Sequence, residues 1–167
     1  SPLHAAVGAG IAALQGVKHG GQTGRVEAFF REAEGASGVR RAVGAYLKRG
    51  ESIPGFGHPL YPEGDPRGKA LLELTAELLP ASPAVALGLA ARDAMLAATG
   101  EHPTIDLALV TLTSALGLPR VSALTLFALG RTLGWIGHAR EQYALDRLIR
   151  PRARYTGPPP DEAPPAA

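Results

Sequence analysis

The 167-residue chain is long enough for one domain, or for two small lobes that share a core. Hydrophobic residues make up 46% of it and aromatics only 5%, so the core is aliphatic, built on Leu, Ala, Val and Ile. A net charge of +2 is too weak a bias for nucleic acid, the lack of cysteine excludes disulfide and thiol chemistry, and no apolar run reaches the roughly 18 residues of a membrane span.

Residues 3–15 are apolar nearly all round, with Gly8, Gly10 and several Ala, which predicts a buried helix able to approach a neighbour closely. Gly16 and Gly20-Gly21 break it. Gln22 to Ala33 reads as an amphipathic helix with Val26, Phe29, Phe30 and Ala33 on one face. Gly35 to Gly38 is a turn. Val39 to Lys48 is a further helix, with Val43 and Leu47 inward.

Glu51 to Asp65 holds three prolines and three glycines in 15 positions and cannot be a regular helix. Pro66 reads as the first-turn proline of a helix capped by Asp65 and running to about Leu79. Ser82 is a candidate cap for the next helix, Val85 to Ala98. Glu101-His102-Pro103 is a link with His102 exposed. Ile105 to Leu116 is a strongly apolar helix with Asp106 near its start. Ser122 to Ile136, apolar nearly all round, continues as helix to about Leu148, and a proline-rich tail over 158–167 reads as disordered or extended. There is no strand pattern and no internal repeat, so the fold class is all-α.

His19 lies between a helix break and a new helix. A helix N-terminus favours neutral imidazole, a donor for a developing enolate oxygen; a loop histidine satisfied by backbone is the plain alternative. His58 ends a glycine-rich turn whose Gly55 and Gly57 leave amides open to an anion or a purine edge, or simply make the turn flexible. Arg67 suits a bidentate carboxylate, or an ion pair with Asp65 or Glu63. Asp106 is surrounded by apolar residues, where desolvation raises a carboxyl's pKa and makes it a base for a carbon-bound proton; a helix cap would serve as well. Arg131 interrupts an apolar run and calls for a partner, internal or bound. Arg147, Arg150, Arg152 and Arg154 form a basic cluster, either a solvated face or a site for carboxylates or phosphates. His4 and His138 read as core or interface histidines. No histidine pair has convincing metal-site spacing.

Taken in order, Gly16-Val17-Lys18-His19-Gly20-Gly21, Pro54-Gly55-Phe56-Gly57-His58, Asp65-Pro66-Arg67, Ile105-Asp106, Leu126 to Arg131, and Arg150-Pro151-Arg152 through Gly157 resemble the C-terminal portion of the citrate synthase family, in a divergent bacterial branch. The resemblance implies the family's helical fold: a large-domain helix over 1–19, a small mobile domain over 20–117 that closes over substrate, large-domain C-terminal helices over 118–157, and the tail. It implies condensation of acetyl-CoA with oxaloacetate and water to give citrate and CoA. Asp106 would take the methyl proton, His19 would bond the thioester oxygen, and His58 would polarise the ketone. Arg67, Arg131 and Arg150 would hold substrate carboxylates, Arg150 from a second subunit of a homodimer. Backbone of Ile53, Pro54, Gly55, Phe56 and Gly57 would meet the CoA adenine.

The resemblance implies no permanently bound cofactor, with acetyl-CoA and CoA as substrate and product. The alternatives are 2-methylcitrate synthase, citryl-CoA lyase, or a non-catalytic regulator that binds CoA or a dicarboxylate. Departures from the family pattern are Pro59 and Pro62 where a basic residue is usual, Thr104 two before the acid, and Lys18 before the first histidine. The chain begins without methionine inside an apolar pattern and reads as a fragment that is inactive by itself. Absence of cysteine and of a signal peptide fits a cytoplasmic protein.

Overall fold

The computed structural model describes residues 1–16, 20–150 and 152–157. His19, Lys18, Pro151 and the 158–167 tail therefore lie outside the described residues. The fold is all-helical: α1 Leu3–Leu14, α2 Gly21–Ala33, α3 Val39–Lys48, α4 Pro66–Leu78, α5 Pro83–Thr99, α6 Ile105–Ala115 and α7 Ser122–Leu145, with a 3-10 turn at Ala36–Gly38. Each predicted helix is present, with ends shifted by at most three residues, the largest shift at α7, which stops at Leu145 rather than Leu148; α7 runs unbroken through Gly130, Gly134 and Gly137.

The core is built by α2, α3, α5 and α6. The face Val26, Phe29, Phe30 and Ala33 of α2 is buried against Val39, Ala42 and Val43 of α3, Leu87, Ala91 and Met95 of α5, and Leu107 to Val110 of α6. Phe29 is fully buried with its ring edge-on to Tyr46, centroids 5.8 Å apart. That geometry suits an aromatic pair and adds to the area it buries. Small residues set the closest approaches. A Cβ on Gly88 of α5 would stand 2.4 Å from Thr111 Oγ1 of α6, and one on Gly68 of α4 would stand 2.7 Å from the Thr104 carbonyl carbon.

The α1 helix packs on α7, where Gly10 admits the Trp135 indole at a distance no Cβ would allow. This pair corrects the expectation of a buried α1: only Leu14 is buried in α1 and only Ala123 in α7, while Leu129 and Leu133 are 68% and 74% exposed. An all-round apolar pattern measures how much apolar surface a helix carries, and here each helix covers one side of the other. Leu47 is likewise exposed rather than inward, His4 and His138 lie on the surface, and His102 is half-buried beneath Gly64. Ser82 stands at the N-cap of α5, but its side chain makes no capping bond. Among the described residues no helix is long and apolar enough to cross a membrane.

Candidate active site

The long loop before α4 owes its path to backbone pairing that the sequence pattern did not announce. Phe56 and Pro103 form an antiparallel bridge, Thr104 N donates to Gly55 O at 2.8 Å, and Gly57 N donates to His102 O at 3.0 Å. Residues 55–57 are thereby stitched to the link that leads into α6. Gly55, at φ +88°, fits this path because it also touches the core: a Cβ there would sit 2.8 Å from Val26 Cγ2.

Asp65 caps α4 as expected, accepting from Arg67 N at 3.0 Å, with Pro66 in the first turn. It does more than cap. Arg67 Nε and Nη2 donate to its two oxygens, both at 2.9 Å, and Ile105 N of α6 donates to Oδ2 at 3.1 Å. The ion pair that was one option for Arg67 is therefore made with Asp65, and made bidentately. Asp65 is 1% exposed. Burial pushes its carboxyl up, but the Arg67 guanidinium and the two amides outweigh burial and hold it below the ordinary carboxylate range.

Asp106 is the second residue of α6 and is half-buried. Burial raises its carboxyl above the ordinary value, opposed by the Thr104 hydroxyl, which donates to Oδ2 at 3.3 Å, and helped by the nearby charge of Asp65. Thr104 is the N-cap residue of α6, yet its hydroxyl serves Asp106 rather than the helix end.

His58 is half-buried and its Nδ1 accepts from Leu60 N at 3.1 Å. A backbone amide only donates, so Nδ1 holds the lone pair and the neutral ring carries its proton on Nε2. Tyr61 lies between His58, at 4.9 Å between ring centroids, and the Arg67 guanidinium carbon, 5.3 Å above its ring. This stack fixes two flexible polar groups on one aromatic surface.

His58, Tyr61, Arg67, Thr104 and Asp106 line a single cleft of about 800 Å³, with Asp65 buried behind it. Its walls are the 52–61 loop, the starts of α4 and α6, the C-terminal half of α1, and Phe127, Arg131 and Trp135 of α7. Of the residues read from sequence, His58, Arg67, Asp106, Arg131 and the run Ile53 to Gly57 come together here. Arg150 is exposed beyond the end of α7 and does not line the cleft. Arg131 is exposed and forms no ion pair among the described residues, so solvent meets its need for a partner. Sequence reasoning missed Tyr61, Thr104 and the second role of Asp65. An Asp-Pro pair signals a cap, but nothing in it signals a bond 40 residues away. Among the described residues no group of His, Asp and Glu is placed to hold a metal.

The family model for the citrate synthase C-terminal domain matches residues 1–152. The chain belongs to the citrate synthase family. Citrate synthase 2 of Bacillus subtilis is 34% identical over 161 residues, which are 95% of this chain and 43% of that protein. The chain thus spans less than half the length of the curated relatives it matches. Among solved structures, a citrate synthase family fold from Thermoplasma acidophilum, in ternary complex with carboxymethyl coenzyme A and oxaloacetate, aligns with TM-score 0.77 at 30% identity, over 92% of this chain and 43% of that one. The citryl-CoA lyase of Hydrogenobacter thermophilus aligns with TM-score 0.79 at 28% identity, over 98% of this chain and 67% of that one.

Proposed function

We propose that the chain is the C-terminal portion of an enzyme that condenses acetyl-CoA with oxaloacetate and water to give citrate and CoA, and that its cleft holds most of the reacting groups. The observation that carries this reading is the meeting of a carboxylate with raised proton affinity, a histidine bearing its proton on Nε2, and two arginines in one cleft.

Asp106 takes a methyl proton from acetyl-CoA, and the enol oxygen is stabilised by His19, which lies outside the described residues. The enol carbon attacks the oxaloacetate ketone, whose oxygen accepts the hydrogen bond of His58 Nε2 and takes up a proton as the carbon–carbon bond forms. Water then cleaves the thioester of citryl-CoA, releasing citrate and the CoA thiol. Arg67, with Nε and Nη2 engaged by Asp65, keeps its Nη1 donors for a substrate carboxylate, and Arg131 offers a second cation. The stitched loop Ile53 to Gly57 offers backbone to the CoA adenine. The cleft opens between the α2–α6 body and the α1–α7 pair, which supports a small domain over 20–117 closing against the flanking helices. Arg150 serves the partner's site in a cytoplasmic homodimer. The ligands of the Thermoplasma complex support the substrate pair.

Thiol release from acetyl-CoA in the presence of oxaloacetate tests the reading, with Asp106→Asn as control. Release that the substitution abolishes is the expected result for the active assembly; release that survives it removes Asp106 from the chemistry. The alignment with the citryl-CoA lyase, over 98% of this chain at TM-score 0.79, supports one second reading, cleavage of citryl-CoA to acetyl-CoA and oxaloacetate by the same groups in reverse. Oxaloacetate formed from citryl-CoA faster than thiol is released from acetyl-CoA would select it.

A further inference from the structure

Asp106 sits at the end of a helix whose own cap residue does not cap it. Thr104 gives its hydroxyl to the Asp106 carboxylate, and the Ile105 amide, the first of the helix, stands ahead of the second and third amides that a cap side chain serves. A helix-terminal amide needs an acceptor. The acceptor comes from Asp65, on the loop that enters α4. The two oxygens of Asp65 divide the work evenly: Oδ1 takes Arg67 N and Nε, Oδ2 takes Arg67 Nη2 and Ile105 N. An anchor needed only for stability is served as well by apolar side chains, which bear no desolvation cost. Here a buried charge is placed where its two sets of donors come from either side of the α4–α6 contact, the most extensive helix contact in the fold. Gly68, one residue beyond Arg67, lets the backbones meet directly at Thr104 and Ile105.

We propose that Asp65 is the positioning residue of this site: its single carboxylate fixes the turn that carries Asp106 against the turn that carries Arg67. The proton acceptor and the carboxylate-binding cation are thereby held at a set separation, and Arg67 is oriented with its Nη1 donors left for substrate. The functional half of this statement rests on the condensing reading above; the frame itself rests on the hydrogen bonds. The raised proton affinity of Asp106 is consistent with it, since Asp65 adds to that rise and Arg67 opposes it.

The test uses this chain and two variants, Asp65→Asn and Arg67→Gln, with circular dichroism to check folding. NMR reads hydrogen exchange at the Ile105 amide and the carboxyl-carbon titration of Asp106, assigned by its loss in Asp106→Asn. In Asp65→Asn, Ile105 exchange rises about tenfold or more, the loss expected for a charge-assisted bond, and the Asp106 midpoint moves down. Unchanged exchange and an unchanged midpoint in a folded variant overturn the proposal. If Asp65→Asn fails to fold, Arg67→Gln decides: Ile105 stays protected by Asp65 while the Asp106 titration moves, and a titration that does not move overturns the frame.

Steady-state thiol release separates the frame from the chemistry. A wild-type chain that turns over should lose kcat in Asp65→Asn, with the acid limb of its pH profile shifted down. Unchanged kcat and profile overturn the positioning role and leave the condensing reading standing. No thiol release from the active assembly, with both NMR responses present in this chain, upholds the frame and counts against the condensing reading.

Discussion

Glycine to alanine is the same chemical change in every helix, yet the fold assigns it opposite signs at Gly68 and Gly44. Gly44 lies within α3 with nothing within 4 Å of the position a Cβ would take. Alanine there gains helix propensity alone, about 0.5–1 kcal/mol of stability. At Gly68 the added carbon would meet the backbone of the chain entering α6, at 2.7 Å from Thr104 C, 2.8 Å from Thr104 O and 2.9 Å from Ile105 N. Backbone atoms cannot swing aside, so α4 and α6 must separate. Overpacking costs about 1–3 kcal/mol, and stretching the Ile105 to Asp65 bond forfeits about 1.5–3 kcal/mol for a bond to a charged acceptor. Against the propensity gain, the net loss is about 1.5–5.5 kcal/mol. Urea unfolding followed at 222 nm measures both variants, with equal slopes required for a fair comparison. Gly68→Ala as stable as wild type would mean that α4 and α6 do not meet at backbone distance. The account of how Arg67 and Asp106 are held together would then be wrong.

Asp106→Asn should raise the urea midpoint above neutral pH while abolishing turnover. Folding raises this carboxyl's pKa, so the folded state holds its proton more tightly than the unfolded one, and stability falls as pH rises from the ordinary carboxylate value through the raised one; asparagine has no charged form to bury. Asp65 runs the other way. Its lowered pKa contributes stability that is fully present above the ordinary value and lost as pH falls through the folded one. Asp65→Asn should therefore cost about 1–3 kcal/mol at neutral pH, below the full cost of breaking a buried pair because the Arg67 side chain is 51% exposed. Its unfolding curve should converge with wild type in acid. Arg131→Ala should leave the unfolding midpoint unchanged, since the side chain is exposed and forms no ion pair among the described residues, and weaken oxaloacetate binding about 10- to 100-fold by calorimetry. Equal binding would place the substrate carboxylates elsewhere.

The helices were legible because their signals are local. Asp65-Pro66 starts α4, the Val26 to Ala33 stripe turns α2 inward, and the prolines and glycines of 51–65 keep that segment out of regular structure. The candidate chemistry was legible for a similar reason, since a histidine on a glycine turn or an acid in an apolar run stands out from its neighbours. What stayed hidden was every relation between distant segments. His102 read as an exposed link residue, yet its carbonyl anchors Gly57 and its ring lies beneath Gly64. The tautomer of His58 depended on the Leu60 amide turning back to Nδ1. The apolar pattern of α1 implied burial, but only the packing shows that α1 and α7 each cover a single side of the other.

Hydrophobic period, caps and breakers act over a few residues, so the sequence by itself determined which segments are helical and which side chains could do acid–base or carboxylate chemistry. Whether those side chains share one cleft is set by contacts across tens of residues, and these only the tertiary structure decided. The Asp65 carboxylate bridging Arg67 and Ile105 is the clearest case, since a buried charge takes its partners from whichever donors the packing brings to it.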